Sequence, residues 1–86
     1  MYNNPVFTTK FVIESKAEII YVTHDREGYW QFFSNQDASE QEARVVSMDE
    51  ILEIDPSLEE ILWIPEGTEA WREGVGKEWV TKVYSE

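Results

Sequence analysis

The chain contains no cysteine. That excludes a disulfide framework, a thiolate metal site and a cysteine nucleophile together. It has one histidine, His24, so a zinc centre built on several His or Cys ligands has no donor set. No apolar run approaches the roughly 20 residues that a membrane helix needs. The opening stretch "MYNNPVFTTK" has neither the basic region nor the apolar region of a secretory leader. A soluble, cytoplasmic protein is therefore expected. Glycine is scarce, with four residues, and none sits in a phosphate-binding loop. Gly74-x-Gly76 is too short for a dinucleotide fingerprint and precedes a strand pattern, not a helix.

Positive charge is the other shortage. Seven Lys and Arg face eighteen Asp and Glu, a formal net charge of −11. Such a field repels phosphate backbones and anionic headgroups. Neither nucleic acid nor a membrane surface is an expected partner, whereas a basic protein surface is electrostatically welcome. The same charge also serves plain solubility, since small proteins far from neutrality stay dispersed.

What the chain has in quantity is aromatic bulk. Four Trp, four Tyr and four Phe in 86 residues, with 42% hydrophobic content, describe a folded chain forming one domain, 1–86. Large aromatics bury roughly 150–250 Å² each, which suits a core this small.

In "VFTTKFVIE", Phe7, Thr9, Phe11 and Ile13 alternate with Thr8, Lys10, Val12 and Glu14, the period of a half-buried strand. "IIYVTH" reads as a second strand, central in a sheet because its start is apolar on both faces. "DREG" is a turn, closed by Gly28. "YWQFFS" is a third strand, with Trp30 and Phe32 on one face and Tyr29, Gln31 and Phe33 on the other. Connections this short predict an antiparallel meander.

"NQDASEQEAR" is a polar loop, with or without a helical turn at Ser39–Ala43, and "RVVS" fits a brief strand. Ser47-x-x-Glu50 is a capping box opening a helix whose apolar face holds Met48, Ile51 and Leu52. Pro56 follows Asp55. Either Asp55 caps a second short helix with Pro56 at its first position, or one kinked helix runs 48–62. Pro65-Glu66-Gly67 is a turn. "TEAWRE" is a strand, with Thr68, Ala70 and Arg72 alternating against Glu69, Trp71 and Glu73. "GVGKE" turns the chain into a last strand, "WVTKVYS", and Trp71 and Trp79 flank that hairpin in position to pair across it. The expected fold is α+β. An antiparallel sheet of about five strands, an N-terminal meander plus a C-terminal hairpin, carries one or two short helices (about 48–62) on one face.

Chemistry-bearing patterns are few. His24–Asp25 is the one candidate polar site, but neighbours in a strand point to opposite faces. No serine lies in a nucleophile-elbow context. Asp49, Glu50, Glu53, Glu59 and Glu60 form acidic helix faces without the D-x-D-x-D-G pattern of a calcium loop. No catalytic residue, metal ligand or cofactor is therefore assigned. The aromatics carry the alternative. Tyr29, Trp30, Phe32, Phe33, Trp71 and Trp79 form the candidate interaction surface, because an aromatic set left uncovered on a sheet marks a protein-binding face or a ligand groove.

The stretches "THDREGYWQFFS", "ARVVSMDEILEIDPSLEEILWIPEGTEAWRE" and "EW" carry a pattern. It comprises D-x-x-G-x-W-x-F-x-S, a Met-Asp-Glu-Ile helix start, D-P-S-L, and a terminal region ending on a tryptophan. This resembles a group of small bacterial proteins of unknown function (DUF-type) and is similar, more distantly, to a group that includes immunity proteins of polymorphic toxins. The resemblance implies a stand-alone α+β domain without an established enzyme activity, so no catalytic residue carries over. Trp63 and Glu66-Gly67-Thr68 depart from the pattern, which is polar and variable there.

Three functions follow in order. The first is a non-enzymatic protein-interaction module with a basic partner, toxin-neutralising (immunity-like) in the reading the resemblance implies. The second is a small-ligand binder using an aromatic groove beside "YWQFF". The third is an enzyme using His24 with Asp25 or Glu27. The chain is expected as a monomer or as a weak homodimer through an edge strand. The expected edges are "VFTTKF" and "WVTKVY", guarded by Lys10, Lys77 and Lys82.

Overall fold

In the computed structural model the described residues are 5–36 and 39–83. They form six strands and two α-helices, with two 3₁₀ segments. The strands are β1 Pro5–Thr9, β2 Tyr21–His24, β3 Trp30–Phe33, β4 Ala43–Ser47, β5 Thr68–Trp71 and β6 Val80–Val83. The helices are α1 Lys10–Ile13 and α2 Met48–Ile54; the 3₁₀ segments are Glu40–Glu42 and Pro56–Ile61. One sheet holds all six strands in the order β4-β1-β3-β2-β5-β6.

The expected α+β class, with its helices on one face, is what forms. The details of the sheet differ. β1 pairs parallel with β3 and antiparallel with β4, so the first three strands are not a simple meander. The physical reason lies at Thr9. The expected strand over Phe7–Glu14 stops there, and "KFVI" winds into α1 instead. A four-residue apolar run fits a strand or a buried helical turn equally well. α1 buries Val12, and Lys16 at φ 60° turns the chain so that Ala17 N–H reaches the Phe11 carbonyl at 2.9 Å. The chain then passes the end of β3, where Ile20 N–H donates to the Phe33 carbonyl at 2.9 Å, and enters β2. That places β2 between β3 and β5, the central position its apolar start predicts. β1 lies inside the sheet, not at an edge, and the edges are β4 and β6. Of the three expected guards, Lys82 lies on an edge strand, Lys10 opens α1, and Lys77 lies in the β5–β6 turn.

The capping logic holds at both predicted helix starts. Ser47 and Glu50 exchange bonds as a capping box at α2, and Asp55 caps the 3₁₀ segment with Pro56 in its first turn. The two-segment arrangement is therefore the one adopted. A third box, Ser39 with Glu42, opens the turn before β4. Val6, Val22, Phe32 and Ala70 point from the sheet to meet Val12, Met48, Ile51, Leu58, Ile61 and Ile64.

One buried cation ties these parts together. Arg72 is 2% exposed. Its Nη2 donates to Asp55 Oδ2 at 2.6 Å, its Nη1 to Ser57 Oγ at 2.9 Å and its Nε to the Ile19 carbonyl at 3.0 Å. Its guanidinium lies over the Trp79 ring at 4.2 Å, a cation–π contact. Asp55 is spoken for on its other oxygen, which accepts from Ser57 N–H and Oγ. Trp79 therefore packs against Arg72, and the register sets Trp71 opposite Val80. The expected Trp71–Trp79 pair does not form, because Trp79 precedes the strand and folds inward.

Removing one partner of a buried, hydrogen-bonded ion pair leaves the other charge uncompensated. Asp55→Ala should lower unfolding stability by about 3–5 kcal/mol in urea melts. A loss under about 1 kcal/mol, the range of exposed pairs, would show that Arg72 is not held by this bond.

Candidate functional site

Strand alternation divides the aromatics between two environments. The inner face takes Phe32, fully buried, and Trp30, which packs against the core. The outer face takes Tyr29 and Phe33 from the "YWQFF" stretch, together with Phe7, Tyr21, Val45, Trp71 and Val80. Both α-helices and the Pro56–Ile61 segment contribute to the core on the inner side. Among the described residues, neither α-helix nor the Pro56–Ile61 segment covers the outer face, and the short Glu40–Glu42 turn borders only its β1–β3 end.

The register lays out that face as two rows. Phe33 stands opposite Tyr21, Tyr21 opposite Trp71, and Trp71 opposite Val80. The parallel β1 brings Thr9 alongside Phe33, since Phe7 is level with Gln31. This row is apolar from Phe33 to Val80. Tyr21 and Phe33 stack at 6.0 Å, while Trp71 and Val80 remain 45% and 46% exposed. The second row runs Val45, Phe7, Gln31, Thr23, Glu69, Lys82. It is apolar at the β4 side, where Phe7 meets Tyr29 edge-on at 5.8 Å. Its centre is polar but internally bonded, with Thr23 Oγ1 donating to Gln31 Oε1 at 3.1 Å. Tyr21 O–H donates to Glu69 Oε1 at 2.9 Å, tying the rows together.

Of the six residues expected on the interaction surface, Tyr29, Phe33 and Trp71 are brought together on this face. Trp30 and Phe32 are core, and Trp79 is half-buried against Arg72. Phe7, Tyr21, Val45 and Val80 complete the face and were absent from that set. Their signal was alternation within their own strands, which places a side chain on a face but not beside a given neighbour.

The His24–Asp25 corner is structural. His24 Nδ1 lies 2.9 Å from the Ile64 carbonyl, which only accepts, so Nδ1 carries the proton. The ring stacks on Trp30 at 3.9 Å and 11°. The His24 carbonyl accepts from Gly67 N–H at 2.6 Å, at a position where φ is 82° and glycine is the residue that fits. Asp25 Oδ1 accepts from the Glu27 and Tyr29 N–H groups, both at 2.9 Å, an Asx turn that delivers Tyr29 to the outer face. Gly28 closes the turn at φ 94°, and a Cβ there would meet Glu66 Oε2 at 2.9 Å. Histidine and carboxylate thus spend their bonds on separate partners.

Among the described residues, no group of three or more His, Asp or Glu is placed to hold a metal ion. No helix among them is long and apolar enough to cross a membrane. Two clefts open at the ends of the apolar row. One, of about 280 Å³, is lined by Phe7, Thr9, Gln31, Phe33, Ser39 and Glu40 among others. The other lies by Trp71 and Val80, with Glu73, Lys77 and Glu78. Comparison with protein-family models, with curated proteins and with solved structures finds no match to this chain.

The loop at the first cleft is held by an acid-sensitive cap. Ser39 N–H and Oγ donate to Glu42 Oε1 at 2.7 and 2.8 Å. The backbone bond from Ser39, then its hydroxyl, hold the Glu42 carboxyl below its usual value of 4.5. A lowered folded value means the cap's contribution is present above the ordinary carboxylate range. It is lost as pH falls through the folded value. In a carboxyl NMR titration Glu42 should titrate below 4.5, with the Ser39 amide shift following the same curve. A Glu42 midpoint at or above the usual value would remove the cap.

Proposed function

We propose that this protein is a non-enzymatic protein-interaction module whose partner is a basic protein, bound on the helix-free face of the sheet. The observation that carries the reading is the apolar row Phe33–Tyr21–Trp71–Val80, which neither α-helix covers among the described residues and in which Trp71 and Val80 stay about half exposed. Exposed aromatic groups on a rigid sheet are the side chains that anchor protein interfaces. Contiguous apolar patches are otherwise uncommon on small monomeric proteins.

Charge selects the kind of partner. Asp49, Glu50, Glu53, Glu59 and Glu60 are exposed on the helical side. On the outer face, Glu69 stands opposite Lys82, so the centre of the face is close to neutral. Glu40, Glu73 and Glu78 border its two clefts. A near-neutral aromatic field with an acidic margin, on a molecule of net charge −11, suits a basic surface with apolar anchors. Long-range attraction speeds encounter, and the aromatics supply affinity. The resemblance to toxin-neutralising proteins supports the immunity-like form of this reading, with a cationic toxin domain as the partner.

The test uses immobilised protein and the double variant Tyr29→Ser/Trp71→Ser, each challenged with lysate of the encoding cells at low and high salt. The wild type should retain a basic polypeptide at low salt and release it at high salt. The double variant should bind it at least about thirtyfold more weakly, as expected for hot-spot aromatics worth about 2 kcal/mol or more. Equal retention by wild type and variant would move the interface off this face. Retention indifferent to salt would remove the electrostatic part.

A further inference from the structure

The cleft at the β1–β3 end of the apolar row has a composition that the rest of the face lacks. Phe7 and Phe33 supply apolar surface, and Thr9, Gln31, Ser39 and Glu40 supply polar groups, around about 280 Å³. Glu40 is exposed and, among the described residues, is the only formally charged one in that lining. Thr9 is 1% exposed, and its hydroxyl has no hydrogen-bond partner among the described residues. A buried hydroxyl ordinarily has one. We infer that this groove receives an arginine side chain of the basic partner, an assignment that rests on the interaction-module reading above.

An arginine meets each feature of the groove. Its three-carbon stem and planar head stack on aromatic surface, so Phe7 and Phe33 hold the stem and the guanidinium face. Its fork offers five N–H donors and no acceptor. Glu40 takes one or two of them, and the Thr9 oxygen accepts another. A purely apolar anchor leaves the Thr9 hydroxyl and the Glu40 carboxylate unanswered. An acidic anchor is repelled by Glu40 and by the net charge of −11. The cleft by Trp71 also has aromatic and acidic groups, but Lys77 lies in its lining and competes with an incoming cation. Two basic residues adjoin the groove lining in sequence: Lys10, whose Nζ lies 5.9 Å from the centre of the Phe11 ring, and Arg44, which is occupied. Arg44 donates to the Gln41 and Ala43 carbonyls and to Glu14 at 3.3 Å.

The experiment is an amide NMR titration of the whole chain at low salt with three probes. N-acetyl-arginine amide is compared with N-acetyl-citrulline amide, which is similar in shape but neutral, and with N-acetyl-norleucine amide. An arginine–glycine repeat peptide is titrated in parallel. Saturable shifts at Thr9, Gln31, Phe33, Ser39 and Glu40 are expected with the arginine probe, with much weaker ones for citrulline and norleucine. Glu40→Gln should weaken the arginine probe about two- to fivefold, the range of a solvent-accessible ion pair. If the three small probes are indistinguishable, or norleucine binds best, while the peptide shifts Tyr21, Trp71 and Val80, the groove assignment is overturned and the interaction face stands. If the peptide perturbs neither the groove nor the row, both fall together.

Discussion

Arg72 and Asp55 hold together parts of the chain that have little else in common. Burying a guanidinium is expensive, and the cost is met only where nearly all its donors are used and a carboxylate is adjacent. Here Nε, Nη1 and Nη2 all donate, and the ring of Trp79 covers one face. The partners come from four places: the segment before β2, the cap of the 3₁₀ helix, its first turn, and the start of β6. β6 is exposed at every residue and contributes little to the core. Beside its ladder with β5, the packing of Trp79 on Arg72 ties this edge to the body. There is also a consequence for the outer face. Side chains alternate along a strand, and a one-residue slip would exchange the two faces. Holding Arg72 inward therefore holds Trp71 outward, so a buried electrostatic contact sets the exposure of an aromatic on the opposite side of the sheet.

Much of this was legible from local rules. Ser47 with Glu50, and Asp55 before Pro56, announce helix starts because capping involves residues two or three positions apart. The split of Trp30 and Phe32 from Tyr29 and Phe33 followed from period two alone. Arg72 fell in phase with Ala70, on the side that proved to be core. What local rules do not encode is pairing at a distance. Arg72 meets Asp55 across 17 residues, and His24 meets the Ile64 carbonyl across 40. The stop at Thr9 was hidden because Phe11, Val12 and Ile13 satisfy a strand or a helical turn. Once β1 ends early, its parallel pairing with β3 and its cover by β4 follow from the sheet as a whole. The candidate face was half legible for the same reason. Tyr29, Phe33 and Trp71 stand out by type and phase, whereas Tyr21 becomes part of a row only when three strands are in register.

Among the described residues, the two faces of the sheet are unequally covered. Seven residues of α2 and six of the 3₁₀ segment are enough to roof one face of the sheet. Among the described residues, no second helical layer lies on the other. That face manages its apolar surface by pairing: Phe7 with Tyr29, Tyr21 with Phe33, and Gln31 with Thr23. These pairs reduce exposure near the centre. Trp71 and Val80 at one side, and Val45 at the other, stay open.

An open aromatic face would ordinarily invite self-association. The net charge of −11 opposes it, since two copies approaching face to face bring like charges together. The opposition comes mostly from a distance, however, because the acids sit on the helical side and around the clefts while Glu69 and Lys82 balance each other on the face. Repulsion acts on a second acidic copy at long range, and a cationic surface meets attraction over the same distance and then an almost uncharged aromatic field at contact. Under the proposed reading, the separation of charge from aromatic surface disfavours a second copy of this chain and favours a partner of opposite sign.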